Sequence, residues 1–158
     1  MEQLSFEGSK LIINPQNGAS ITKWTCFKAR EEVTLINNRD FNLFESSLLF
    51  PFPNRLASGK YNYEGMSFHF DENDPGKPNA LHGFIYNVAF DLVEKLDNSI
   101  RFRYEYDGTL EAYPFPFTFE VNYILKKNEL EIQVDIQNTG SQTMPCGFGW
   151  HPYFDLEL

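Results

Sequence analysis

The sequence predicts an all-β chain with antiparallel sheets, either a sandwich or a barrel. Side chains alternate with period 2 along several segments, and the 3.6 period of amphipathic helices is nearly absent. Turn signals separate those segments at short intervals, as in sandwiches and barrels.

The alternation is clear at Tyr61-Asn62-Tyr63 and Met66-Ser67-Phe68-His69-Phe70, which flank Glu64-Gly65 and predict a hairpin. Over residues 101–106, Phe102, Tyr104 and Tyr106 share one face, with Arg101, Arg103 and Glu105 on the other. Over 117–125, Phe117, Phe119, Val121, Tyr123 and Leu125 share a face. Over 130–136, Leu130, Ile132, Val134 and Ile136 do the same, with Glu131, Gln133 and Asp135 outward. Lys126-Lys127-Asn128-Glu129 joins the last two as a hairpin turn. Asp107-Gly108 and Asn138-Thr139-Gly140 mark further turns. No repeat, low-complexity tract or linker interrupts the chain, so residues 1–158 read as one domain.

Bulk properties narrow the function. A chain of 158 residues buries roughly 70% of its unfolded surface, enough for a real core. Aromatics make up 16% of it, which argues against disorder. The net charge of -9 argues against a nucleic-acid partner, because phosphate backbones require clustered Lys and Arg. Apolar runs are only a few residues long, so no membrane span is expected. Met1-Glu2-Gln3-Leu4-Ser5 lacks the basic and apolar regions of a signal peptide, and the expected compartment is the cytoplasm. Cys26 and Cys146 lie far apart and read as two buried free thiols of a reducing compartment. Three dispersed His residues and no Cys-x-x-Cys spacing predict no metal site.

Some segments break the alternation. Asp71 to Gly83 contains Pro75, Gly76, Pro78 and Asn79 and reads as a polar loop ending in Leu81-His82-Gly83. Phe50-Pro51-Phe52-Pro53-Asn54-Arg55 holds two prolines, which exclude a central strand and present Arg55 from a stiffened loop. Gly149-Trp150-His151-Pro152-Tyr153-Phe154 places an imidazole among aromatics at the end of a strand-like stretch. His69 sits within an alternating hairpin and is expected to face solvent. His82 and His151 are the imidazoles poised for chemistry, since both lie near a Gly and an aromatic after turn-rich stretches. The aromatic stripes, including Tyr113-Pro114-Phe115-Pro116-Phe117, fit core packing and also sugar-stacking platforms.

Taken in order, Asn54-Arg55 before Gly59, Leu81-His82-Gly83, Tyr113-Pro114 with Tyr123-Ile124-Leu125, and His151-Pro152-Tyr153-Phe154 form a series. This series resembles the aldose 1-epimerase (galactose mutarotase-like) superfamily. Each motif is weak alone; four in order make the match specific. The resemblance covers the whole chain but only about the first half of the family's usual length.

The resemblance implies a large antiparallel β-sandwich, the supersandwich, with an open carbohydrate cleft. It implies interconversion of the α and β anomers of a free aldose, a small-molecule substrate. Ring opening needs one group to protonate the ring oxygen and another to deprotonate the anomeric hydroxyl, with the roles exchanged on closure. No metal or organic cofactor is required. His151 matches the residue that protonates the ring oxygen. His82 matches the second His, which hydrogen-bonds the sugar near that oxygen. Arg55 matches the Arg that contacts sugar hydroxyls. The family's general base is a Glu in its second half, along with a substrate-binding Asp, and Glu157 does not match that Glu. Asp155-Leu156-Glu157-Leu158 carries no stop signal, so the sequence reads as the N-terminal portion of a longer domain. A half-sandwich exposes apolar strand edges and faces, which favour self-association. A carbohydrate-binding sandwich without catalysis is the alternative reading, because the same aromatics and Arg55 would serve it. A structural domain with incidental His residues is a third.

Overall fold

The computed structural model describes residues 1–28 and 31–155. The strands in chain order are β1 (Glu2–Phe6), β2 (Ser9–Asn14), β3 (Ser20–Lys28), β4 (Glu31–Asn37), β5 (Leu48–Leu49), β6 (Arg55–Ala57) and β7 (Lys60–Tyr63). They continue as β8 (Met66–His69), β9 (Asn79–Leu81), β10 (Asp91–Lys95), β11 (Ser99–Tyr106), β12 (Phe117–Lys126), β13 (Glu129–Asn138) and β14 (Gly149–Trp150). The described residues contain no α-helix, only 3-10 turns at Phe41–Leu43 and Ile85–Asn87.

Two four-stranded antiparallel sheets form the scaffold, β1-β2-β3-β4 and β10-β11-β12-β13. The second follows from the alternation. Phe117, Phe119, Val121, Tyr123 and Leu125 are all buried, and Lys126 pairs with Glu129 across the expected hairpin turn. Phe102 is buried on the same face, while Glu105 points to solvent. The first sheet contributes Leu4, Leu11, Ile13, Ile21 and Ile36 to the same core. A buried bond ties β12 to the residue that precedes β3: the Tyr123 hydroxyl donates to the Ala19 carbonyl at 2.7 Å.

Three features differ from the sequence reading. Residues 71–83 are not loop throughout, because Asn79–Leu81 pairs antiparallel with β6. Arg55 therefore opens a strand rather than sitting in a loop. The thiols are not buried: Cys146 is exposed and Cys26 half-buried. His69 faces solvent as expected. No helix among the described residues is long and apolar enough to cross a membrane.

Candidate active site

A short buried segment, Leu48 to Phe50, positions both candidate imidazoles. On one side β5 pairs antiparallel with β14, Leu49 opposite Gly149 and Leu48 opposite Trp150. The pairing carries on into the next residue: the His151 N–H donates to the Ser47 carbonyl at 3.0 Å, and the His151 carbonyl accepts from the Ser46 N–H at 2.8 Å. On the other side Phe50 bridges to Gly83, and the Phe84 N–H donates to the Phe50 carbonyl at 3.0 Å. Gly83 has φ +70, and a Cβ there would fall 2.0 Å from the Phe50 oxygen. Only glycine allows this approach.

The β6–β9 pair brings in the remaining residues. Arg55 lies opposite Leu81, so the preceding Asn54 meets the following His82. The His82 N–H donates to the Asn54 carbonyl at 2.9 Å, and the Asn54 N–H donates to His82 Nδ1 at 3.1 Å. Both residues hold left-handed backbones, φ +66 at Asn54 and +65 at His82. Asn and His enter that region more readily than most side chains.

This exchange fixes the chemistry of His82. With Nδ1 accepting, the neutral ring carries its proton on Nε2, which is then a donor. Burial holds the His82 pKa below its ordinary 6.5; His151 and Arg55 push the same way, and Asp74 opposes them. The His82 and His151 rings meet edge to face, centroids 5.3 Å apart. Phe44 packs its ring against His82 at 4.7 Å, and Tyr153 stacks on His151 at 5.3 Å.

Arg55 is held from two directions. Its Nε donates to Asp74 Oδ2 at 2.7 Å, and its Nη1 donates to Asn54 Oδ1 at 3.2 Å. Asp74 is buried and also accepts from Asn79 Nδ2 at 2.9 Å. The bonds from Arg55 and Asn79 hold its carboxyl below the usual carboxylate range.

These elements enclose a cleft of about 530 Å³. Phe44, Arg55, His82, Trp150, His151 and Tyr153 are among its walls, and no carboxylate lines it among the described residues. No cluster of metal-type ligands occurs among the described residues either. The structure thus brings together Arg55, His82 and His151, which lie far apart in sequence. It places Tyr113 elsewhere, in the core and beside a separate apolar cavity of about 290 Å³, its hydroxyl bonded to the Pro145 carbonyl at 2.8 Å. Glu157 lies outside the described residues. Sequence reasoning missed Phe44 and Asp74. Phe44 carries no motif signal; Asp74 had one, as an acidic residue in a Pro- and Gly-rich loop leading to His82.

This arrangement of sheets and cleft defines a mutarotase-like β-sandwich. The chain superposes on a galactose mutarotase related enzyme from Lactobacillus acidophilus with a TM-score of 0.76 and 27% identity, covering 99% of this chain and 49% of that one. It superposes on a galactose mutarotase-like protein from Clostridium acetobutylicum with a TM-score of 0.78 and 21% identity, covering 96% and 49%. A sequence model of the aldose 1-epimerase family matches residues 4–158, and the chain belongs to that family. The uncharacterized Escherichia coli K12 protein YphB is 29% identical over 108 residues, 68% of this chain and 36% of that protein. YihR of the same strain is 30% identical over 112 residues, 70% of this chain and 36% of that protein. The chain spans about half the length of the solved structures it matches.

Proposed function

We propose that the chain carries the sugar-binding and proton-donating part of an aldose 1-epimerase-like isomerase. The supporting observation is the convergence of Arg55, His82 and His151 on one aromatic-walled cleft. In this reading Arg55 hydrogen-bonds sugar hydroxyls. His82 offers Nε2–H near the ring oxygen. His151 donates a proton to the ring oxygen as the C1–O bond breaks, while a base removes the anomeric hydroxyl proton and the C1 carbonyl forms. Rotation about C1–C2 and reclosure, with the proton transfers reversed, give the other anomer. Positioned proton transfer of this kind contributes roughly 10²–10⁴-fold.

The base is the missing piece. With no carboxylate among the described lining residues, we assign it to a part of the protein beyond them. We also infer that residues 1–158 are the N-terminal portion of a longer mutarotase-like domain, since the chain spans about half of the structures it matches. The isolated chain is then expected to bind aldoses and to exchange their anomers slowly.

NMR exchange between the anomers of galactose and glucose tests this. In the full-length protein, His151→Asn is expected to slow exchange by about 10²–10⁴-fold; an unchanged rate removes His151 as the acid. Exchange by the isolated chain at the full-length rate refutes the assignment of the base. The carboxylate-free cleft also favours a second reading, carbohydrate binding without turnover. Sugar binding by the full-length protein with no exchange above the spontaneous rate selects it.

A further inference from the structure

We propose that Asp74 is a positioning residue for sugar binding: through Arg55 Nε it sets which N–H donors the guanidinium presents to the cleft. This deepens the sugar-site reading above and rests on it.

The geometry is specific. The Asp74 side chain is 7% exposed and the Arg55 side chain 46% exposed, so a buried carboxylate holds a cation whose other end reaches solvent. Asp74 is not among the residues that line the cleft. Its Oδ2 takes the Arg55 Nε–H at 2.7 Å, and Asn54 Oδ1 takes one Nη1–H. Those contacts fix the plane of the guanidinium and leave its outer N–H donors free, suited to two adjacent hydroxyls.

Asp74 is itself clamped. Its carboxylate accepts from Asn79 Nδ2, its N–H donates to the Asn79 carbonyl at 3.2 Å, and its carbonyl accepts from the Lys77 N–H at 3.0 Å. Asn79 belongs to β9, the strand that leads into His82. Asp74 therefore ties the orientation of Arg55 to the strand that carries the imidazole. A ligand-contacting side chain held by a rigid supporting shell keeps its geometry; an unsupported one spreads over rotamers.

The test is titration of the full-length protein with galactose and glucose, with NMR detection of the Arg55 Nε–Hε resonance. In the wild type that resonance is expected to be protected from exchange. Asp74→Asn keeps the shape, removes the charge and is expected to weaken sugar affinity about tenfold while the Nε–Hε resonance loses protection. In an Arg55→Gln background the same change is expected to add nothing, because its effect runs through Arg55. Additive loss in that background assigns Asp74 to folding alone and overturns the proposal. If Asp74→Asn fails to fold, Asp74→Glu carries the test: the charge stays, the carboxylate shifts by a methylene, and affinity falls. Unchanged affinity in the variant that folds, beside a wild type that binds, overturns this inference alone. A wild type that binds no aldose overturns the sugar-site reading and this inference with it.

Discussion

The sheet β10–β13 and the cleft region are built by different means. β12 and β13 are ten residues each and stay in register along their whole length. The cleft is framed by strands of two or three residues, β5, β6, β9 and β14. Between residues 91 and 138 the left-handed non-glycine is Asn128, at a hairpin turn. Around the cleft Phe44, Ser46, Asn54 and His82 all take that conformation. In the sheet, position follows from alternation and burial. At the cleft it follows from single hydrogen bonds and unusual backbone angles that only a rigid scaffold holds in place. Stability and function are therefore separable by mutation.

The largest expected effect lies in the scaffold. Phe102 is fully buried on β11, a strand that contributes no residue to the cleft walls. Phe102→Ala is expected to cost about 3–5 kcal/mol in denaturant unfolding. The fraction that remains folded should keep its sugar affinity, measured by titration below the unfolding midpoint. A fall in affinity there breaks the separation. Gly83→Ala is the converse. Its Cβ meets the Phe50 carbonyl, and its φ of +70 is unfavourable for alanine. The backbone angle alone is expected to cost about 1–3 kcal/mol, and displacement of the Phe50 carbonyl by the new Cβ adds to it. Sugar affinity should fall more than about tenfold because the Leu48 to Phe50 segment loses its grip on the His82 turn. Tight binding by Gly83→Ala would mean that the two imidazoles are positioned independently.

The two regions also differed in how much the sequence disclosed. The strands from residue 101 to 138 were legible because alternation maps directly onto a half-buried sheet. Strands β1 to β4 were not singled out, and bulges explain part of that. Register shifts opposite Ile12/Ile13 and Trp24/Thr25 leave Thr22 on β3 and Leu35 on β4 unpaired and interrupt the period along those two strands. At the cleft, periodicity said nothing, since strands of two residues have no period. Arg55, His82 and His151 were legible only as ordered motifs. Asp74 and Phe44 escaped because their roles depend on a turn bringing one segment against another. Residues 79–81 read as loop because Pro78 and Asn79 signal a turn, whereas pairing with β6 prevails over local preference.

A pH titration sharpens the contrast. His82 has a folded pKa below its unfolded value, so the unfolded chain binds more protons in that range and stability rises with pH. The stability is fully present above about 6.5, the ordinary imidazole value, and is lost as pH falls from there through the depressed folded pKa. Burial of the ring is the main reason, with His151 and Arg55 acting the same way; protonating Nδ1 also removes the acceptor of the Asn54 N–H. His82→Gln should flatten the dependence of the melting temperature on pH between pH 7 and 5 relative to wild type. A slope that survives the substitution transfers the effect to another group.

The smallest effect compares two arginines. Arg103 on β11 faces Glu120 on β12, Nε to Oε1 at 2.7 Å, the same distance as Arg55 to Asp74. The acceptors differ in burial: the Glu120 side chain is 21% exposed and that of Asp74 is 7% exposed. The two arginine side chains are similarly exposed, 41% at Arg103 and 46% at Arg55, so the difference in solvent and salt access lies at the carboxylates. Arg103→Gln should cost less than about 1 kcal/mol, and the cost should shrink as salt rises from low to molar concentration. Sugar affinity should not change. The Arg55 Nε–Hε resonance should stay protected over the same salt range. Equal salt sensitivity of the two contacts would show that the cleft arginine is as loosely held as one on an open sheet face, and that the short strands around it position nothing.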